Sequence, residues 1–195
     1  MDAGDNKDTR KKPKKKGKQE KSPGVWAVQV FFIAVALSAV LSLASDRALN
    51  GAGLAVAFAV LLAFVLLGIF FGVIGVAVTA ADEKPFHSMA ARKTPGAREA
   101  ISLIRRADKV SSFCNDVVGD ICGIIAGSTV AVIVVQVQTA IGVPGTVISL
   151  LVTALTSGLT IGGKALGKSF AIARSTAVLQ LVGRFLHLFS RNKKR

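Results

Sequence analysis

Residues 120–164 read DICGIIAGSTVAVIVVQVQTAIGVPGTVISLLVTALTSGLTIGGK. Between Asp120 and Lys164 no side chain is charged, and the turn-forming run Gly142-Val143-Pro144-Gly145 divides the stretch into two halves. Each half is close to the roughly 20 apolar residues that cross a bilayer core as a helix. The stretch therefore predicts an antiparallel helical hairpin with an acid at one foot and a base at the other. Ionisable groups at membrane depth are costly, and they mark an ion path, a proton relay or a fixed internal pair.

The rest of the chain has the same segregated character. Hydrophobic residues make up 51% of the 195, yet the formal net charge is +14, so charge and apolar surface must alternate in blocks. Uncharged stretches run from Val25 to Ser45 and from Ala48 to Ala81, in addition to the hairpin. These blocks predict an all-α integral membrane protein with four transmembrane helices, about 25–45, 52–80, 117–141 and 146–166, plus juxtamembrane and C-terminal amphipathic helices. The spans are continuously apolar, without the period of two that a membrane β-barrel requires. The first apolar block exceeds the usual 7–15-residue core of a secretory leader, and no clear small-x-small cleavage site precedes a soluble domain, so it reads as a retained helix.

Basic residues set the orientation. Residues 1–24 carry nine Lys or Arg against four acids, residues 82–116 carry seven, and residues 164–195 carry eight with no acid. The two short loops near Asp46 and Pro144 hold one basic residue between them. The positive-inside rule then places both termini and the central loop in the cytoplasm. Residues 1–24 read as a disordered basic tail whose lysines, Lys11, Lys12, Lys14, Lys15 and Lys16 among them, meet anionic lipid headgroups at about 1 kcal/mol each. A nucleic-acid arm would interleave aromatics with the bases, and this tail has none. Residues 191–195 form a second short basic tail.

Small residues indicate how the helices meet. Gly119, Gly123 and Gly127 recur every four residues, as do Gly68 with Gly72 and Gly158 with Gly162. Such spacing puts glycines on one face and lets backbones approach in lipid. Cys114 and Cys122 are eight positions apart, about 12 Å along a helix, too far for a disulfide, and no His or Cys stands at metal-ligand spacing around them. Residues 97–108 repeat apolar positions at helical spacing between Arg98, Glu99, Arg105 and Arg106, predicting a surface amphipathic helix. Thr176, Gln180, Arg184, His187 and Arg191 form a polar stripe, with Leu181, Val182, Phe185, Leu186 and Phe189 on the remaining surface. That pattern suits an interfacial belt or a partner-binding helix.

Three segments resemble the transmembrane domain of the cyclin-M (CNNM) and CorB/CorC proteins, implicated in export of magnesium and related divalent cations. They are Val78-Thr79-Ala80-Ala81-Asp82-Glu83, the stretch from Ser88-Met89-Ala90-Ala91-Arg92-Lys93 through Gly96-Ala97-Arg98-Glu99-Ala100 to Val118-Gly119-Asp120, and Gly163-Lys164-Ala165-Leu166-Gly167-Lys168-Ser169-Phe170-Ala171. The last is similar to the family's Gly-Glu-Ile-Leu-Pro-Lys-Thr-Leu-Ala. The resemblance assigns residues 52–190 to that domain, makes 25–45 an extra helix, and implies a homodimer. It implies a cation site whose three ligand positions fall on Thr79, Asp120 and Lys164, where Thr79 and Asp120 would supply oxygen to Mg2+ and Asp82 is a further candidate metal ligand, with no other cofactor. The nucleotide-sensing and cap modules that follow the domain in relatives are not seen, so nucleotide regulation is not expected.

Lys164 departs from the resemblance because it stands where the family has a carboxylate, and an ammonium offers donors only. Two arrangements follow. In one, Lys164 pairs with Asp120 as an internal counter-ion. In the other, Lys164 reaches the interface, and Asp82 or Glu83 completes an acidic site with Asp120. Function divides accordingly: a divalent-cation transporter, or a non-transporting scaffold or regulatory subunit whose cation site is filled by Lys164. A membrane enzyme lacks support, with no HExxH motif, phosphate loop or nucleophile beside a positioned base.

Overall fold

The computed structural model describes residues 23–142 and 144–192, with side chains to residue 188. The lysine run of the N-terminal tail, Val143, and the side chains of Phe189 and Arg191 lie outside the described residues. The fold is all-α, and no strand occurs among the described residues. Helices α1 (Pro23–Leu49), α2 (Leu54–Ala80), α6 (Gly119–Ile141) and α7 (Gly145–Ala173) form a bundle. At one end of it lies a collar of α3 (Lys84–Ala91), α4 (Ala97–Ile104), α5 (Ala107–Ser112) and α8 (Ser175–Asn192). A π-turn, Phe113–Val118, joins α5 to α6.

Among the described residues four helices are long and apolar enough to cross a membrane: 24–49, 54–80, 107–141 and 145–173. The first, third and fourth extend beyond the lengths expected from sequence. No proline or left-handed glycine stops α7 at Lys164, so it continues to Arg174, whose backbone leaves helical geometry. The third span starts ten residues early, at Ala107, because α5 runs through the π-turn into α6 without a break. The hairpin turn is built as its glycine and proline suggest: Gly142 caps α6 at φ 71°, its N–H donating to the Gln138 carbonyl at 3.0 Å, and Pro144 leads into α7.

Helix α2 is the hub. Its positions Ala57, Leu61, Val65, Gly68 and Gly75, at steps of three, four and seven, are buried. They face a matching row on α6, Gly119, Cys122, Ala126, Val130 and Ile133. Rows at this spacing let two antiparallel helices interdigitate along their length. Helix α1 adds Val30, Ala34, Leu37 and Leu41 against Val117, Ile121 and Ile125. At the far end Gln136 Nε2 donates to the Ala52 carbonyl at 3.1 Å, tying the α1–α2 loop to α6.

The collar has its own core, in which Phe86 is fully buried among Ile74, Ala77, Val78, Ala100 and Leu179. The expected helix over 97–108 is instead two helices, broken at Arg105 and Arg106, where Arg106 adopts φ −121°, ψ 28°. The break accompanies an anchor: Arg105 Nε donates to Glu83 Oε1 at 2.7 Å, and the same oxygen lies 3.1 Å from His87 Nε2. Helix α8 crosses α4 where Gly183 meets Gly96, and His187 Nδ1 lies 2.8 Å from Glu99 Oε1. This crossing divides the polar stripe of α8, Arg184 being exposed. Gln180 and His187 are half-buried beside buried Gly183, whereas Leu181, Phe185 and Leu188 are exposed.

Two collar carboxylates respond to these contacts. The Arg105 hydrogen bond holds Glu83 below its ordinary value of 4.5. Burial pushes Glu99 upward, but the His187 hydrogen bond and backbone contact outweigh it, and its net direction is also down from 4.5. A depressed folded-state value contributes stability above the unfolded value, and that stability is lost as pH falls through the folded value. Acidification below about pH 4.5 is thus expected to lower the amide protection factors of α8, each exchange rate being compared with the intrinsic rate at the same pH, and Glu99→Gln to reduce that acid dependence. Protection factors in α8 that stay constant from about pH 5 to 3 would contradict the latch.

Candidate functional site

The π-turn sets the geometry where the expected cation site would lie. Its wider hydrogen bonding, with the Gly119 N–H donating to the Cys114 carbonyl, inserts one residue into the turn. Asn115 is thereby turned against α2: its amide packs on Gly72 and Gly75, and Nδ2 donates to Ser111 Oγ at 3.2 Å. One turn further, Gly68 faces Cys122 and the Gly119 carbonyl, its Cβ position lying 3.3 and 3.9 Å from them. At this level α2 contributes glycines and no ligand oxygen.

Lys164 reaches this seam from α7. Its Nζ lies 3.8 Å from the Cβ position of Gly119, beside the residue that precedes Asp120. Asp120 itself is exposed. The ion pairs among the described residues are His87–Glu83, Arg105–Glu83 and His187–Glu99, and none joins Asp120 to Lys164.

The other expected ligands lie elsewhere. Thr79 is exposed and donates its hydroxyl to the Val76 carbonyl of its own helix at 2.9 Å. It is seven to eleven residues along α2 from the glycines opposite Asp120, about 10–16 Å of helix rise. Asp82 is exposed, with Oδ1 accepting from the Lys84 N–H at 3.1 Å as α3 begins. Glu83 is committed to Arg105 and His87. Among the described residues no three His, Cys, Asp or Glu side chains gather closely enough to hold a metal ion.

The glycines divide in a way that spacing alone does not reveal. Gly68, Gly72 and Gly119 lie in the α2–α6 seam, but Gly123, Gly127, Gly158 and Gly162 have open space where a Cβ would stand. Close packing of α7 falls on Gly163 and Gly167, against Ile69 and Val73 of α2. These two also stand four apart, and Gly75 adds a third contact on α2, so the sequence signal was present but shared by both sets. Cys114 and Cys122 are free, buried thiols.

Gly123 and Gly127 line an opening of about 270 Å³ between α6 and α7, with Thr153, Thr156, Ser157 and Thr160 on its other wall. The hydroxyl ladder was not anticipated from the sequence, although its steps of three and four lead directly to Lys164. Thr160 donates to the Thr156 carbonyl at 2.8 Å, as hydroxyls in apolar surroundings commonly do. Compared with protein-family models, with curated proteins and with solved structures, the chain matches none.

Proposed function

We propose that this chain is an integral membrane protein, with both termini cytoplasmic, that serves as a non-transporting scaffold or regulatory subunit on a transporter-like bundle. In this reading Lys164 is a built-in cation. The observation that carries it is the Lys164 ammonium lying against Gly119, at a level where α2 offers Gly68 and Gly72 in place of oxygen ligands. A hard divalent cation needs about six oxygens, and Asp120 alone leaves most of that shell unfilled. The Lys164 ammonium, on an exposed side chain, adds repulsion from nearby. An ionisable side chain within an apolar span is costly and marks a functional position, which supports a role for Lys164.

Reconstitution into vesicles with an entrapped magnesium-sensitive dye tests the proposal. The parent chain is expected to give no flux above protein-free vesicles, and Lys164→Glu to create Mg2+ binding or flux that Asp120→Asn removes. Parent flux that Asp120→Asn abolishes would overturn it. That result would favour the second reading, divalent-cation transport, for which the hydroxyl-lined opening beside the Asp120 end of α6 speaks.

A further inference from the structure

On the opposite side of the π-turn a groove of about 190 Å³ opens between α1 and the α5–α6 span. Trp26, Ile33, Phe113 and Val117 supply apolar and aromatic wall, and Lys109 and Asp116 also line it. The turn that aims Asn115 at α2 carries the next residue round the helix toward α1, where it lines the groove. Asp116 is therefore presented to this groove, within the apolar span 107–141. It is exposed and takes part in none of the ion pairs or side-chain hydrogen bonds of the described residues.

A carboxylate among apolar and aromatic side chains, without a counter-ion, favours a positive ligand that carries its own apolar cover. The face of a tryptophan adds attraction for such a cation. Lys109 does not fill the role. It precedes Asp116 by seven residues, about 10 Å along the helix toward the collar, and its long stem lets the ammonium extend to water. No nitrogen of Lys109 lies within ion-pair distance of Asp116. We infer that the groove between α1 and the π-turn binds a lipophilic organic cation, its charge held by Asp116 and its apolar groups by Trp26, Phe113 and Val117. The site is separate from the Lys164 seam and stands whether or not the chain transports ions.

Trp26 is the only tryptophan of the chain, so its fluorescence reports on this groove. The full chain in lipid vesicles would be titrated with tetraphenylphosphonium, with triphenylphosphine oxide as a neutral probe of similar bulk and decanoate as an anionic amphiphile. Saturable quenching by the phosphonium is expected, at least about tenfold tighter than by the neutral probe, the scale expected of a charge and an aromatic face acting together. Asp116→Asn should remove that preference, Asp116→Glu should keep it, and Lys109→Met should leave it or strengthen it. Equal affinity of the parent for charged and neutral probes would overturn the inference without any variant. Absence of saturation, indifference to Asp116→Asn, or tighter binding of decanoate dependent on Lys109 would do the same.

Discussion

Gly183→Val is expected to unseat α8 from the collar. A Cβ at position 183 would be driven into the Gly96 carbonyl group, with the Ala100 methyl also at 3.3 Å, so the obstacle is backbone and has no rotamer by which to move aside. Gly96 is the N-cap of α4 at φ 86°, a left-handed conformation that glycine adopts readily, so any shift of its carbonyl would disturb the start of that helix. Overpacking typically costs about 1–3 kcal/mol, and a backbone collision belongs at or above the top of that range. The cost is specific to the collar crossing. Thermal unfolding monitored by size-exclusion chromatography should shift down, and limited proteolysis should cut first around α8. Gly158→Val, where nothing lies within 4 Å of the added Cβ, should leave the bundle's packing unchanged. Equal losses at the two positions would refute the asymmetry.

Phe86→Ala is the second large effect. Phe86 is 0% exposed and joins α3 to α2, α4 and α8 at a single point. Truncation of a buried phenylalanine costs about 3–5 kcal/mol, with the upper end reached where the site cannot collapse. Collapse here is restricted by the ties on either side of it, Glu83–Arg105 and Glu99–His187. Phe86→Leu should recover a large part of the loss. The comparison is best made by chemical denaturation in micelles, and an effect of Phe86→Ala below about 1 kcal/mol would contradict the packing described.

Much of the fold is legible in residue order because its causes are local. Uncharged length gives the spans, Gly142 and Pro144 give the hairpin turn, and lysine and arginine mark the ends. What is not legible depends on phase. Gly123 and Gly127 share the spacing of Gly163 and Gly167, yet only the second pair meets another helix, because the face a helix buries is set by its neighbours. In α8 Leu179 and Gly183 face the collar, His187 reaches Glu99, and Leu181, Phe185 and Leu188 are exposed, a phase set by the Gly183 crossing that amphipathic spacing does not reveal. The candidate site was legible in part. Asp120 and Lys164 bound the uncharged hairpin in the sequence, and the structure places them within longer spans, with Lys164 near Gly119 at the α6 N-terminus. Thr79 lies some turns away, because register between α2 and α6 is decided by the Gly68–Cys122 contact.

The π-turn has a wider consequence for the third span. One surplus residue between Phe113 and Val118 gives the helix two angular origins, one fixed by the collar core and the other by the α2 seam. The same rod presents Asn115 to Gly72 and Gly75 and Asp116 to the α1 groove, and the surplus residue sets the phase at which the two faces meet their neighbours. The collar end and the bundle end of this one continuous helix are therefore packed in different phases, each set by its own neighbours.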